Sequence, residues 1–177
     1  MQNLILKFGL IAGSIVSAFM LISISFMGDA IDFGTGELLG YISMIAALSA
    51  IFIGIKSYRD KELNGTIGFA KAFQVGLLIT LVASLIYVTS WVVYINTTDS
   101  DFINDYKAYM IAELEESGDS EEVMKQKLAE IESASQMYQN PLAQIAITFL
   151  EIFPVGLLVS LIAAVLLQKK PAAANPV

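Results

Sequence analysis

Glu151 is the residue of this sequence best placed to do chemistry, because it is the one carboxylate inside an otherwise apolar run, Pro141 to Leu167. A membrane-crossing helix needs about 20 apolar residues, and this run is longer. Inserting an ionised acid at membrane depth costs roughly 2.5–3.5 kcal/mol, so Glu151 is expected to face protein or water rather than lipid. It lies ten residues after Pro141, about 15 Å deep at the helical rise. Tyr87 and Ser84 of an earlier apolar run reach a similar depth, as do Ser14 and Ser17. Any of these hydroxyls can hydrogen-bond the carboxyl group, and burial without a cation favours its neutral form. Pro154 shares the face of Glu151 and removes the hydrogen bond its N–H would give to the Leu150 carbonyl. A kink there would form a hinge beside the acid, although proline in a span often means only a bend. Three roles stay open for Glu151: an acid that fixes helix register, a proton or cation site, or a contact to a partner subunit.

Composition removes most other chemistry. The chain has no Cys and no His, which excludes a disulfide framework, the usual zinc and haem ligands, a thiol nucleophile and a Ser-His-Asp triad. Intramembrane hydrolysis would need a nucleophile with its base, or two acids at membrane depth, and the sequence places one acid there. The glycines of residues 28–36 fall in a turn without the strand and helix of a phosphate-binding loop. No enzyme, cofactor or metal is expected. A formal charge of −7 argues against nucleic acid, which needs a basic face.

Stepping from Glu151 to the elements around it, only 15% of the 177 residues are charged, against about 25% in a soluble domain. That balance points to a membrane protein. Residues 1–95 hold three spans, at about 4–27, 38–55 and 72–95, and residues 141–168 hold the fourth. Lys7 lies one turn inside the first span and can snorkel to the headgroups. No A-x-A-like site follows that span, so an uncleaved anchor is expected rather than a signal peptide. The third span ends in Tyr87, Trp91 and Tyr94, read as an aromatic belt at a membrane surface. Asn140-Pro141 opens the fourth as a cap followed by proline in the first turn.

Residues 96–140 are different, with eleven acids and three lysines. Phe102, Tyr106, Tyr109/Met110 and Leu114 recur at helical spacing, then Val123/Met124, Leu128, Ile131 and Tyr138. Ser117-Gly118 stops the first stripe and Asp119 to Glu122 restarts a helix as a capping box. This predicts a helical hairpin outside the bilayer, antiparallel, with Phe102, Tyr106, Met110, Leu128 and Ile131 in one interface. Short amphipathic helices are marginal alone, so they must pack on each other, on the bundle rim or on a partner.

The basic residues set the threading. Seven of the ten Lys and Arg fall in the N-terminus, residues 56–71 and the tail at 169–177; three fall in the other two loops. The positive-inside rule then puts both termini in the cytoplasm and the acidic hairpin outside it. Small residues also recur four apart in every span: Gly9/Gly13/Ser17, Ala46/Ala50/Gly54, Gly76/Thr80/Ser84 and Gly156/Ser160/Ala164. Such rows let helix backbones approach closely in lipid. The fold expected is therefore all-α, a compact four-helix transmembrane bundle with an extracytoplasmic helical hairpin between spans 3 and 4.

The segments NLILKFGLIAG, GYISMIAALSAIFIGIKSYRDK, NGTIGFAKAFQVGLLITLVASLIYV and NPLAQIAITFLEIFPVGLLVSLIAAVLL, in that order, resemble the bacterial domain-of-unknown-function family number 4199. The resemblance covers nearly the whole chain. It implies a four-span integral protein of the bacterial envelope, and it assigns no activity and no functional residue. Two functions are carried forward. The first is a non-enzymatic accessory or structural component of the inner membrane; the alternative is a small ion- or proton-coupled transporter using Glu151. The partners this pattern admits are membrane lipids, attracted at about 1 kcal/mol per basic residue near the surface, a second copy in a homodimer, and an envelope protein on the acidic hairpin.

Overall fold

A computed structural model of the chain describes residues 1–26, 32–98 and 101–169. Among them are seven helices: α1 (Gln2–Phe26), α2 (Phe33–Leu48), α3 (Ala50–Glu62), α4 (Phe69–Thr97), α5 (Phe102–Glu116), α6 (Glu121–Tyr138) and α7 (Pro141–Leu167). The chain is all-α, and α1, α2 with α3, α4 and α7 are four helices long and apolar enough to cross a membrane. Residues 27–31, 99–100 and 170–177, which include parts of two expected loops and the tail, lie outside the described residues.

Local chemistry explains the ends. Asp32 caps α2 by accepting the Thr35 amide at 2.8 Å, and Asn140 caps α7 by accepting the Leu142 amide at 2.9 Å. The Asp32 cap starts the second span at Phe33, ahead of the expected Leu38. At Ser49 the helix tightens without breaking: the dihedrals stay helical and the hydroxyl donates to the Ala46 carbonyl at 2.6 Å, a local competition for the backbone ladder. The stretch therefore continues past Ile55 to Glu62. Asn64 and Gly65 stop it with φ of 51° and 82°, and the Gly65 amide takes the Arg59 carbonyl at 2.9 Å.

α4 is the central helix, packed against α1, α3 and α7. A Cβ added at Gly9 would lie 2.5 Å from Val82 Cβ, and one at Gly13 would lie 2.9 Å from Ile86 Cβ. On the other side Gly76 meets Ser160, and Gly156 sits directly against Thr80. Contacts along α1 and α4 advance together, so those helices run parallel. Contacts along α4 and α7 advance oppositely, so that pair is antiparallel. Three of the four small-residue rows are buried throughout; in the fourth, Ala46 is exposed while Ala50 and Gly54 are buried. Thr80 Oγ1 lies 3.2 Å from the Gly156 carbonyl and 3.0 Å from Ser160 Oγ, so the small-residue seam is also hydrogen-bonded. Ile51, Ile55, Ile79 and Ile152 fill the core around it at 0% exposure.

The two ends of the bundle differ. At one end the Met1 ammonium pairs with Glu62 at 2.6 Å, Arg59 Nη1 donates to the Leu167 carbonyl at 3.2 Å, and Ile67 and Lys169 form a two-bond bridge. At the other end α5 lays Phe102 and Tyr106 against Phe33 of α2, with ring centroids 5.7 and 5.6 Å away. Phe102 also meets Trp91 edge-on at 5.4 Å. The aromatic stripe of α5 thus packs on the bundle rim. Lys107 of α5 pairs with Glu132 of α6, across the Ser117–Ser120 turn, so these helices run antiparallel. Leu128 is exposed, 39%, rather than inside the shared interface.

Two outcomes follow. Gly156→Ala drives a methyl into Thr80 and should cost about 1–3 kcal/mol, whereas a Cβ at Gly40 meets open space and Gly40→Ala should be neutral or stabilising by up to about 1 kcal/mol. Thermal unfolding of the two variants in one detergent measures the difference. The second outcome concerns acid. Hydrogen bonds from Lys127 and Lys107 hold the Asp119 and Glu132 carboxyls below the usual carboxylate range. Lowered values in the fold mean that this small stabilisation is complete at neutral pH and disappears as pH falls through them. Amide exchange in α5 and α6, corrected for its intrinsic pH dependence, should therefore rise on acidification before that of α4.

Candidate functional site

The α4–α7 seam decides what Glu151 meets. Two turns beyond the Thr80–Gly156 contact, Tyr87 reaches across from α4, and its hydroxyl donates to Glu151 Oε1 at 3.1 Å. Of the four candidate residues, the structure joins these two. Ser84 lies on the same side of α4 and is fully buried, but its hydroxyl has no hydrogen-bond partner among the described residues. Its side chain is too short to follow Tyr87 to the acid. Ser17 is likewise buried without a partner, and Ser14 is exposed. Pro154 is exposed on α7, and the helix runs through it from Pro141 to Leu167.

The neighbouring aromatic residues also turn inward. Tyr87 and Trp91, expected in an aromatic belt at a membrane surface, are 4% and 7% exposed. The Trp91 indole N–H donates to the Tyr138 hydroxyl of α6, so each ring buries its body and satisfies its polar tip inside the protein. Asn96 Nδ2 donates to Gln144 Oε1 at 3.1 Å, and Gln144 Nε2 to the Tyr138 carbonyl at 2.9 Å. These bonds tie the end of α4, the end of α6 and the start of α7 into one joint.

Beside that joint is an open cavity of about 670 Å³, lined by residues of α1, α2, α4, α5, α6 and α7. Glu151 keeps accessible surface and lines it, with Glu37, Tyr41, Tyr87, Tyr106, Lys107 and Tyr138 as the other ionisable residues of the wall. Glu37 lies just outside the second span expected from the sequence, which starts at residue 38. The Asp32 cap places it instead in the second turn of α2, one helical turn before Tyr41, and both residues line the cavity. Asp32 immediately ahead of Phe33, at the head of an apolar run, was the available signal. Among the described residues no group of three acids comes together to hold a metal ion.

The order of spans, the acidic helices between the third and fourth, and the acid within the fourth can now be set beside known proteins. The family model described as "Protein of unknown function (DUF4199)" matches residues 7–169. The chain belongs to that family. No curated protein and no solved structure matches it. Within this DUF4199 chain, the Tyr87–Glu151 bond and the cavity beside it are the features with chemical content.

The bond can be weighed directly. Tyr87→Phe and Glu151→Leu each remove it, and interhelical polar pairs in membranes contribute about 0.6 kcal/mol, at most about 2. A double-mutant cycle on thermal stability in detergent should return a coupling of that size. Glu151→Gln keeps an acceptor for Tyr87 and should unfold close to the parent chain.

Proposed function

We propose that this chain is a non-enzymatic accessory or structural component of the bacterial cytoplasmic membrane, crossing it four times with both termini in the cytoplasm. The observation that carries the reading is the gathering of Met1, Arg59, Ile67 and Lys169 at one end of the bundle. Those contacts join the segments that hold seven of the ten basic residues, and basic loops stay cytoplasmic. The opposite end carries α5 and α6, with most of the acids. Their outer faces are exposed and offer an acidic surface to an envelope protein or a second copy of the chain. Glu151 supports a structural role because its Oε1 accepts the bond from Tyr87 across the α4–α7 seam.

The absence of cysteine from the sequence makes the threading simple to read. A membrane-impermeant maleimide should label Ser120→Cys in intact cells and label Lys61→Cys only after the membrane is opened. The reverse pattern would invert the topology. In proteoliposomes with a pH-sensitive dye, the chain should carry no proton flux that disappears in Glu151→Gln. A flux with that dependence would replace the accessory role with a proton-coupled transporter.

A further inference from the structure

We propose that the cavity beside Glu151 binds a lipophilic organic cation, held between aromatic faces and the carboxylates of Glu37 and Glu151. This inference adds a ligand to the reading above and does not depend on which way the chain is threaded. The volume, about 670 Å³, is within the roughly 300–1,000 Å³ typical of small-molecule sites. Phe33, Tyr41, Tyr87, Trp91, Phe102 and Tyr106 contribute to its wall, and aromatic faces attract cations.

Charge selects among the apolar ligands that would fit. Glu37 has no ion-pair or hydrogen-bond partner among the described residues. Glu151 commits Oε1 to Tyr87 and leaves Oε2 free of any such bond. Lys107 is the one basic residue on the wall, and its ammonium is taken by Glu132. The uncompensated charge facing the cavity is therefore the negative charge of Glu37, and a cation bound there would favour the ionised form of Glu151 as well. Around it, residues 96–140 contribute eleven acids against three lysines, a field that concentrates cations at the site. A lipid tail would gain the apolar wall and leave both carboxylates unused, and an organic anion would be repelled. The carboxylates come from different helices: Glu37 is in the second turn of α2, and Glu151 is in the middle of α7. A cation with an apolar body meets both acids and the aromatic wall they share.

The test uses the full chain in nanodiscs of zwitterionic lipid, with empty nanodiscs to subtract partitioning. The probe is tetraphenylphosphonium, and its control is tetraphenylborate, of the same shape and opposite charge. The phosphonium should bind saturably and the borate should not. Glu37→Gln and Glu151→Gln should each weaken phosphonium binding roughly tenfold, the scale of one partly shielded charge contact. Gly40 lines the cavity and a Cβ there meets nothing within 4 Å, so Gly40→Phe should fill the space and abolish binding while thermal unfolding stays near that of the parent. Non-saturable uptake of both ions would overturn the proposal, as would borate bound as tightly as phosphonium, or binding unchanged in both glutamine variants. Should Glu151→Gln fail to fold, Glu37→Gln decides alone, because the Glu37 carboxylate holds no other group in place.

Discussion

Within lipid, helix faces gain nothing from leaving water, so the approach of one backbone to another decides how tightly the bundle closes. In this chain that approach is concentrated on α4. Gly9 and Gly13 bring α1 onto one side of it, and Gly156 and Ser160 bring α7 onto the other. With no side chain between them, the α4 and α7 backbones come near enough for the Thr80 hydroxyl to reach the Gly156 carbonyl at 3.2 Å. Ile79 and Ala83 of α4, between the two seams, are left fully buried. Register along both seams is then set by where the glycines fall, because each accepts only a neighbour that clears its backbone.

The seam has a consequence two turns away. Once Thr80 faces Gly156, Tyr87 is carried opposite Glu151, and the acid acquires its 3.1 Å donor. A carboxyl group without that donor would stand partly unsatisfied at membrane depth, at a cost that α7 would have to carry alone. Ser84, one turn earlier on the same side, has no comparable reach and stays unpaired. The length of the side chain that carries it separates the two hydroxyls.

α5 and α6 close the bundle at one end without filling it. The α5 aromatic residues pack edgewise on Phe33 and Trp91, and α6 reaches Trp91 through Tyr138. Held by rings at the rim rather than by side chains pushed inward, the two helices roof a space instead of plugging it. Glu37 and Glu151, far apart in the chain, line that space together.

The sequence by itself determined the features that depend on neighbours along the chain. Four apolar runs of spanning length, the Asn140-Pro141 opening, the acidic helices between the third and fourth runs, and the small-residue rows all follow from composition or from periods of three and four residues. The same local logic required a partner for Glu151. Tertiary structure alone decided which partner: Tyr87 and Ser84 share a depth and a helix, and the α4–α7 register and hydroxyl reach separate them. Trp91 reads as a residue of a membrane-surface belt until the Tyr138 hydroxyl, 47 residues later, supplies a bond within the protein. Glu37 reads as the residue before a span until Asp32 caps the helix ahead of it and makes it part of α2. Periodicity reports which residues share a face of one helix; which faces meet depends on backbone approaches between segments tens of residues apart, and no local pattern encodes those.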